Sequence, residues 1–272
     1  MGFFTCHPAA DRIDSACALA VKEEIVKYYL STIDENAQAL AKQYGLGLEI
    51  AEYCTAWNLD EKSSETDTLV REKIKGISDL VFHAPFNELF PCAIDPKARK
   101  LAAYRYRQAI CVAKSYGATK VVIHGGYNPR IYYPVWYVGQ SILFWKEFLK
   151  DDPGVDICLE NVLEEEPGML LDIVKGVDDP RLRLCLDVGH VNAYSQIPAM
   201  DWVVAYAPYL SHFHIHNNDG SWDTHSALYD GTIPMEALLQ KINTLCPDAT
   251  VTLELPDAEK SLKWMEEKIW NP

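Results

Sequence analysis

The sequence predicts a single (β/α)8 barrel, and three observations support this prediction. Short β-rich runs recur eight times along the chain, and longer helix-like stretches separate them. The 272 residues divide into units of about 34, which is the usual allotment of such a barrel. Alternating strands and helices specify a parallel sheet that helices cover. Because no linker rich in Pro, Gly or Ser divides the chain, one domain is expected over residues 1–272.

The predicted strands are apolar runs bounded by turn residues. They are Gly2–Cys6, Gly47–Tyr53, Asp79–His83, Thr119–His124, Val155–Glu160, Leu182–Asp187, Ser211–His216 and Thr250–Leu255. Two of the intervening helices have clear bounds. Pro96–Tyr116 is expected to end at Gly117, and Tyr137–Leu149 is followed by a Pro-Gly turn.

The first connection is longer than the others. Asp11–Lys27 and Ile33–Tyr44 both have helical patterns, which predicts an extra helix after the first strand, in an inserted helical segment over 8–32.

The alternative architecture is an open doubly wound sheet. The chain has neither G-x-G-x-x-G nor G-x-x-x-x-G-K-[ST], so no nucleotide cofactor is expected.

Charge and composition exclude several function classes. The net charge is 25 − 39 = −14, and an acidic surface repels nucleic-acid backbones and anionic lipid. We therefore expect neither a nucleic-acid nor a membrane partner. No signal-like segment and no run of about 18 apolar residues occurs, which predicts a cytoplasmic protein. The eight cysteines form no C-x-x-C pair, a pattern that favours buried free thiols over disulfides or a thiolate metal site.

Polar side chains occur where the predicted strands end. The strand carboxyl ends of a parallel barrel converge on one face, so these side chains are expected to meet. The set is Glu49, Glu52, His83, His124, Glu160, Asp187, His190, His214, His216 and Glu254, and Asp223-Thr-His225 follows in the loop after the seventh strand. A single histidine at a strand end is usually structural, but six of the eight lie in this set. His7 and His212 are expected to be structural.

Converging imidazoles and carboxylates predict a metal site. Clustered carboxylates repel one another, and a cation relieves that repulsion. The many imidazoles favour zinc or manganese, or else iron, over magnesium, with one to three ions.

Glu164-Glu165-Glu166 is most simply a solvated run, and the aromatic stretch Tyr132–Tyr137 either lines a pocket or packs in the outer helix layer.

The motifs resemble those of the xylose isomerase-like TIM-barrel superfamily. This superfamily contains sugar phosphate isomerases and epimerases and the endonuclease IV branch, also called AP endonuclease family 2. The resemblance spans roughly residues 34 to 257. Its motifs are His83-Ala-Pro-Phe86, Val122-Ile-His124-Gly-Gly126, Leu159-Glu160-Asn161-Val162, Leu186-Asp187-Val-Gly-His190, His212-Phe-His214-Ile-His216-Asn-Asn-Asp219, Asp223-Thr-His225 and Leu253-Glu254-Leu-Pro256.

The resemblance implies a metal site made of Glu160, Asp187, a histidine of the seventh strand and Glu254. In the endonuclease IV branch, residues that match His83 and His124 join a second metal, and those that match His190, Asp223 and His225 hold a third. His214 and His216 share one face of the strand. His214 is preferred because an apolar residue follows it, as in the family, and His216 remains the alternative.

The resemblance leads to a first hypothesis, a metal-dependent sugar or sugar-phosphate isomerase or epimerase. Glu160 and Glu254 would remove and return a proton through a metal-stabilised enediolate. His190 would hydrogen-bond a substrate oxygen. Substrate binding is expected of Glu49, Glu52 and Asn161, and Arg130 could meet a phosphate.

Two other hypotheses stay open. A multinuclear zinc phosphodiesterase of the endonuclease IV type is suggested by His83, His124, Asp223 and His225. Against it, the sequences with which the repair enzymes penetrate the duplex are not found here, and Gly47-Leu-Glu49-Ile resembles the G-x-E-L strand of the sugar isomerases. The third hypothesis is a barrel that only binds its ligand. The oligomeric state is left open.

Overall fold

The protein is described by a computed structural model over residues 26–270. Eight parallel strands close into a barrel in chain order. They are β1 Lys27–Ser31, β2 Gly47–Ile50, β3 Leu80–His83, β4 Lys120–His124, β5 Asp156–Glu160, β6 Leu182–Asp187, β7 Leu210–Ile215 and β8 Thr250–Leu253. The (β/α)8 prediction is confirmed, and the open sheet is excluded.

Helices connect the strands on the outside of the barrel. Within the described range they are α1 Ala37–Tyr44, α2 Ser63–Lys73, α3 Pro96–Tyr116, α4 Pro134–Phe148, α5 Gly168–Val177, α6 Val188–Tyr194, α7 Ala199–Tyr206, α8 Met235–Leu245 and α9 Glu259–Met265. Helix α3 has the predicted bounds. The Asp95 side chain caps it by accepting a hydrogen bond from Lys97 N, and Gly117 ends it with a left-handed φ of 85°.

The predicted position of the first strand is wrong. Lys27–Ser31 pairs with both β2 and β8 and closes the barrel, so this segment is the first strand of the barrel. Gly2–Cys6 and most of the predicted helix Asp11–Lys27 lie outside the described residues. Lys27 itself is in a strand, so the predicted helical segment over 8–32 does not extend to its end.

The apolar core lies mainly between the sheet and the helices, and a smaller layer fills the barrel interior. Tyr29, Val81, Val122, Cys158 and Cys185 form the inner layer. Strands buried on both faces explain the nearly continuous apolar runs in the sequence. Both layers hold the strand ends rigidly at the carboxyl face, where the polar side chains gather.

Three smaller predictions can be compared with the structure. The six described cysteines are free. Tyr132 and Tyr137 pack in the core, whereas Tyr133 and Val135 are exposed. Among the described helices, none is both long and apolar enough to span a membrane.

Candidate active site at the carboxyl ends of the strands

The structure brings the predicted ligands together in three adjoining groups. The central group is Glu160, Asp187, His214 and Glu254. The strand group is His83 and His124 against the same Glu160. The loop group is His190, Asp223 and His225. Strand ends that lie far apart in sequence therefore form one site, as the barrel geometry predicts.

In the central group three carboxylates surround one imidazole nitrogen. His214 Nδ1 lies 3.4 Å from Glu160 Oε1, 3.8 Å from Asp187 Oδ2 and 3.3 Å from Glu254 Oε2. His214 Nδ1 and Glu160 Oε2 are buried and have no hydrogen-bond partner. Because buried polar atoms are nearly always paired, these orphaned atoms fit a cation that would accept their lone pairs.

The strand group uses the second oxygen of Glu160. Glu160 Oε2 lies 3.3 Å from His83 Nε2 and 3.5 Å from His124 Nε2. The carbonyl of Ala84 can only accept, so His83 Nδ1 donates to it over 2.9 Å, and the Nε2 lone pair faces Glu160. The ring of Phe86 stacks on His124 at 4.3 Å between centroids and closes this side of the mouth.

In the loop group, too, one carboxylate faces two imidazoles that are held by backbone carbonyls. Asp223 Oδ2 lies 3.3 Å from His190 Nε2 and 3.1 Å from His225 Nε2. The Nδ1 of His190 donates to Asn161 O, and that of His225 donates to Glu254 O, each over 2.8 Å. His225 has a left-handed φ of 49°, a strained conformation that is typical of functional sites.

The anchoring of these histidines is the pattern found at metal sites. A metal-binding histidine usually gives its second N–H to a carbonyl or a carboxylate, which fixes the ring and the tautomer. His83, His190 and His225 do so through backbone carbonyls, and His214 does so through Glu49. The donor set therefore fits a divalent transition metal.

His216 lies between the central and loop groups. Its Nε2 is 3.2 Å from Asp187 Oδ2 and 3.6 Å from Asp223 Oδ1, and its ring stacks on His225. Of the two candidate histidines, His214 is the one with short distances to Glu160, Asp187 and Glu254 together.

The Asp187-Val-Gly-His190 motif has a local explanation. Asp187 Oδ1 accepts a 2.6 Å hydrogen bond from His190 N and so caps helix α6. Gly189 leaves room for the neighbouring ring, because a Cβ there would lie 1.8 Å from His216 Cε1.

Three residues predicted to bind substrate have their polar atoms engaged by the protein instead. Asn161 is buried and exchanges two 2.9 Å hydrogen bonds with the backbone of Asp187, so it positions that ligand. Glu49 lies beneath the central group, where its two oxygens contact His212, His214 and Thr252. Glu52 accepts from Thr32 Oγ1 and pairs with Lys73 at 2.8 Å. The alternation of strand residues predicts the face of the sheet but not the depth in the barrel, so these partners could not be predicted, and substrate binding by the three residues stays a prediction.

Arg130 is exposed in the loop after β4. Its backbone N donates to Asn128 Oδ1 over 3.0 Å. Among the described contacts, none joins its guanidinium to a ligand residue, so a role in phosphate binding stays a prediction.

Burial and the facing charges set the protonation of the ligands. Burial alone would raise the pKa of Glu160, but the facing imidazoles, among them those of His214 and His190, hold that pKa well below its usual value. Burial lowers the pKa of His124 to about 3. Burial opposes protonation of His225 too, yet Asp223 raises the pKa of His225 to about 9. A bound cation would displace such ligand protons.

The structure also corrects one interpretation and adds two residues. Glu164 is not solvated: it is buried, accepts from Tyr137 Oη and Val162 N over 2.7 Å each, and has a pKa raised by burial. Sequence reasoning missed Tyr194, whose ring centroid is 6.2 Å from that of His190, and Trp222, whose ring centroid is 6.4 Å from that of Tyr194. The spacing of four residues from His190 to Tyr194 on one helix was the available signal.

Similarity to known proteins agrees with this geometry. A crystal structure of a D-tagatose 3-epimerase-like protein is 25% identical, with a TM-score of 0.75 over 90% of this chain and 97% of that one. The TTHB071 protein of Thermus thermophilus, from a crystal soaked with ZnCl2, is 26% identical, with a TM-score of 0.73 over 90% and 99% of the two chains. The uncharacterized protein MJ1311 of Methanocaldococcus jannaschii is 30% identical over 70% of each chain.

The family assignment follows from the length of the match. Residues 27–269, which include all eight strands and every candidate ligand named above, match the family described as xylose isomerase-like TIM barrel. The chain belongs to the xylose isomerase-like TIM-barrel family.

Proposed function

We propose that the protein is a metal-dependent isomerase or epimerase of a small sugar or sugar phosphate. The observation that carries this proposal is the placement of two glutamates around one ligand group. Glu160 Oε1 and Glu254 Oε2 lie 3.4 and 3.3 Å from the same atom, His214 Nδ1. A substrate carbon held over this group would have a carboxylate within reach from two strands, β5 and the end of β8.

The similarity to a D-tagatose 3-epimerase-like protein supports the proposal. A crystal structure of D-psicose 3-epimerase with D-tagatose from Clostridium cellulolyticum H10 is 20% identical, with a TM-score of 0.64, and supports the fold alone. Sugar epimerases and isomerases that act through an enediolate share one chemical problem, which is the removal of a proton from a carbon beside a carbonyl.

The protein residues divide the work of proton transfer. A divalent zinc, manganese or iron ion bound by Glu160, Asp187, His214 and Glu254 would stabilise the negative charge that develops on the substrate oxygen. One glutamate removes the proton and the other returns it, and reach matters more than resting pKa for a ligand carboxylate. The His190 ring is held by Asn161 O, and its Nε2, 3.3 Å from Asp223 Oδ2, would hydrogen-bond a substrate oxygen.

The two glutamates also differ in access to solvent. The Glu160 side chain is 1% exposed and the Glu254 side chain 15% exposed. A proton taken up by Glu160 is therefore shielded from water, whereas Glu254 can exchange its proton with solvent. The ring of Phe86 stacks on His124, and the ring of Tyr194 lies 6.2 Å from that of His190, so both aromatic rings lie next to candidate ligands.

A panel of ketoses, aldoses and their phosphate esters tests the proposal. The metal-loaded protein should interconvert at least one pair, and Glu160→Gln and Glu254→Gln should each lower kcat/KM by about 10²–10⁴-fold, because each removes a proton carrier. Glu165→Gln is the matched control, since Glu165 is exposed in the loop that follows Glu160. Unchanged turnover in both active-site variants would refute the proposal.

A second candidate is a multinuclear zinc phosphodiesterase of the endonuclease IV type. Two clusters favour it, His83 with Glu160 and His214, and His216 with Asp223 and His225, because each offers ligand atoms within 4.8 Å of one another. The net charge of −14 weighs against an extended polyanionic substrate. Incubation with abasic duplex DNA under zinc or manganese saturation tests this candidate, and intact DNA would remove it.

A further inference from the structure

Below the central group, the barrel interior contains a column of polar side chains. Glu49 on β2 is 2% exposed and lies between His212 and His214, both of β7. Further down, the column continues through Thr250 and ends at Lys120, the first residue of β4. Burying a carboxylate is costly unless its oxygens are fully paired, so this column calls for an explanation.

Both carboxylate oxygens of Glu49 have hydrogen-bond partners. Glu49 Oε1 is 2.9 Å from His214 Nε2, and Glu49 Oε2 is 3.0 Å from His212 Nε2. Thr252 Oγ1 donates to Glu49 Oε2 over 2.5 Å. A carboxylate only accepts, so the Nε2 atoms of both histidines carry the hydrogen.

Donor and acceptor roles give the column one direction. Lys120 can only donate, and its Nζ is 3.0 Å from Thr250 Oγ1. Thr250 Oγ1 is 2.6 Å from His212 Nδ1 and 3.3 Å from Ser211 O, so its own hydrogen goes to the closer nitrogen. Hydrogen bonds therefore run from Lys120 through Thr250 and His212 to Glu49, where the opposite donor is His214.

This direction determines the state of the central ligand. With its hydrogen held on Nε2 by Glu49, His214 presents the lone pair of Nδ1 to Glu160, Asp187 and Glu254. We infer that Thr252, His212 and Thr250 are positioning residues that fix the metal-binding tautomer and orientation of His214 through Glu49. The inference rests on the metal binding of the proposed function and is independent of the identity of the sugar.

The alternative is that this region itself binds a metal. Glu49, His212 and His214 offer ligand atoms within 4.8 Å of one another. Their short mutual hydrogen bonds argue against it, because a cation there would have to displace the His214–Glu49 and His212–Glu49 contacts together.

Isosteric threonine variants test the inference. Thr252→Val and Thr250→Val remove one hydroxyl each, whereas Thr252→Ser and Thr250→Ser keep it. Thr66→Val is the matched control, since Thr66 is a buried threonine on α2, a helix outside the barrel. Zinc affinity is measured by competition with a chromophoric chelator, the ligand set is followed by the visible spectrum of the Co(II)-loaded protein, and folding is checked by circular dichroism.

The two valine variants should lose about 10–100-fold in zinc affinity, which is typical when a partner of a ligand is removed, and should change the Co(II) spectrum. The serine variants should stay within about threefold of wild type. Wild-type affinity in both folded valine variants would overturn the inference. Loss of a whole metal equivalent in His212→Leu would overturn it too, because His212 would then be a ligand. Wild-type protein that binds no divalent metal would remove the proposed function along with it.

Discussion

The central group and the loop group have similar donors but are built from different parts of the barrel. The central ligands stand on β5, β6, β7 and directly after β8, and Glu160, Asp187 and His214 are at most 1% exposed. In the loop group, Asp223 and His225 belong to the long connection between β7 and α8, with side chains 13% and 28% exposed.

The backbone is also more regular in the central group than in the loop group. The central ligands continue regular strands, whereas His225 has a left-handed φ of 49° that side chains rarely adopt. Strands held by a barrel fix a ligand more precisely than a loop does. We therefore propose that the reaction takes place at the central group and that the loop group orients or screens the substrate.

The largest expected effect comes from a change in the central group. Asp187→Asn keeps the size of the side chain but removes a charged ligand, so metal affinity should fall by more than the roughly 100-fold that loss of a supporting residue can cost. Turnover should fall with it. Competition with a chelator measures the affinity, and Asp230→Asn, an exposed position in the loop before α8, is the control. Wild-type affinity in Asp187→Asn would break the comparison.

Gly189 packs against the ring of His216, which lies between the central and loop groups, and its replacement should lower the stability of the fold. Gly189→Ala places a Cβ 1.8 Å from the His216 ring, and overpacking of this kind costs about 1–3 kcal/mol. Gly139→Ala is the control, because no atom lies within 4 Å of its Cβ and alanine should stabilise α4 by about 0.5–1 kcal/mol. Urea unfolding of the metal-free protein measures both. Equal stability of Gly189→Ala and wild type would contradict the tight packing of His216.

The loop group should make the metal-free protein sensitive to pH. Although burial opposes the charge, Asp223 raises the pKa of His225 to about 9 in the folded state. A raised histidine pKa stabilises the fold below the unfolded pKa of about 6.5, and that stability is lost as the pH rises through about 9. The change should be on the order of 2 kcal/mol.

Unfolding free energies between pH 6 and 10 measure this change. It should shrink in Asp223→Asn and persist in Asp219→Asn, which alters an exposed neighbour. The same pH dependence in wild type and Asp223→Asn would assign it to other groups.

The smallest expected effect is that of the strand and loop groups on metal content. Protein purified without added metal or chelator should hold about one zinc, manganese or iron ion, bound by the central residues. His83→Ala and Asp223→Ala should leave that content unchanged in elemental analysis. Two or three zinc ions that are lost in these variants would favour the phosphodiesterase instead.

Much of the architecture could be predicted because each signal was local. Seven strand positions and the bounds of α3 follow from apolar runs and from the capping pair Asp95 and Gly117. The first strand was misplaced because Lys27–Ser31 directly follows a helical pattern, and only its pairing with β2 and β8 distinguishes it from a helix end. Such pairing is a tertiary property that a local pattern does not contain.

The cluster of candidate ligands could be predicted from the positions of its residues in the chain. The roles of the neighbouring residues could not be predicted in this way. Parallel strand ends converge in any such barrel, so residues such as Glu160 and Asp187 could be grouped from their positions alone. Glu49 and Asn161 also occur near strand ends, but their depth depends on strand register and on the partners that reach them. Glu164 lies in the loop after β5, and its burial depends on Tyr137, which belongs to helix α4.

Hydrogen exchange with solvent tests the proposed chemistry most directly. The metal-loaded protein is incubated in D2O with the ketose or aldose that it converts, and deuterium at the carbon beside the carbonyl is measured by NMR or mass spectrometry. Proton transfer through Glu160 and Glu254 predicts deuterium in product, with exchange reduced about 10²–10⁴-fold in Glu254→Gln. Conversion that retains the original hydrogen at that carbon in every product molecule, or equal exchange in Glu254→Gln, would contradict the mechanism.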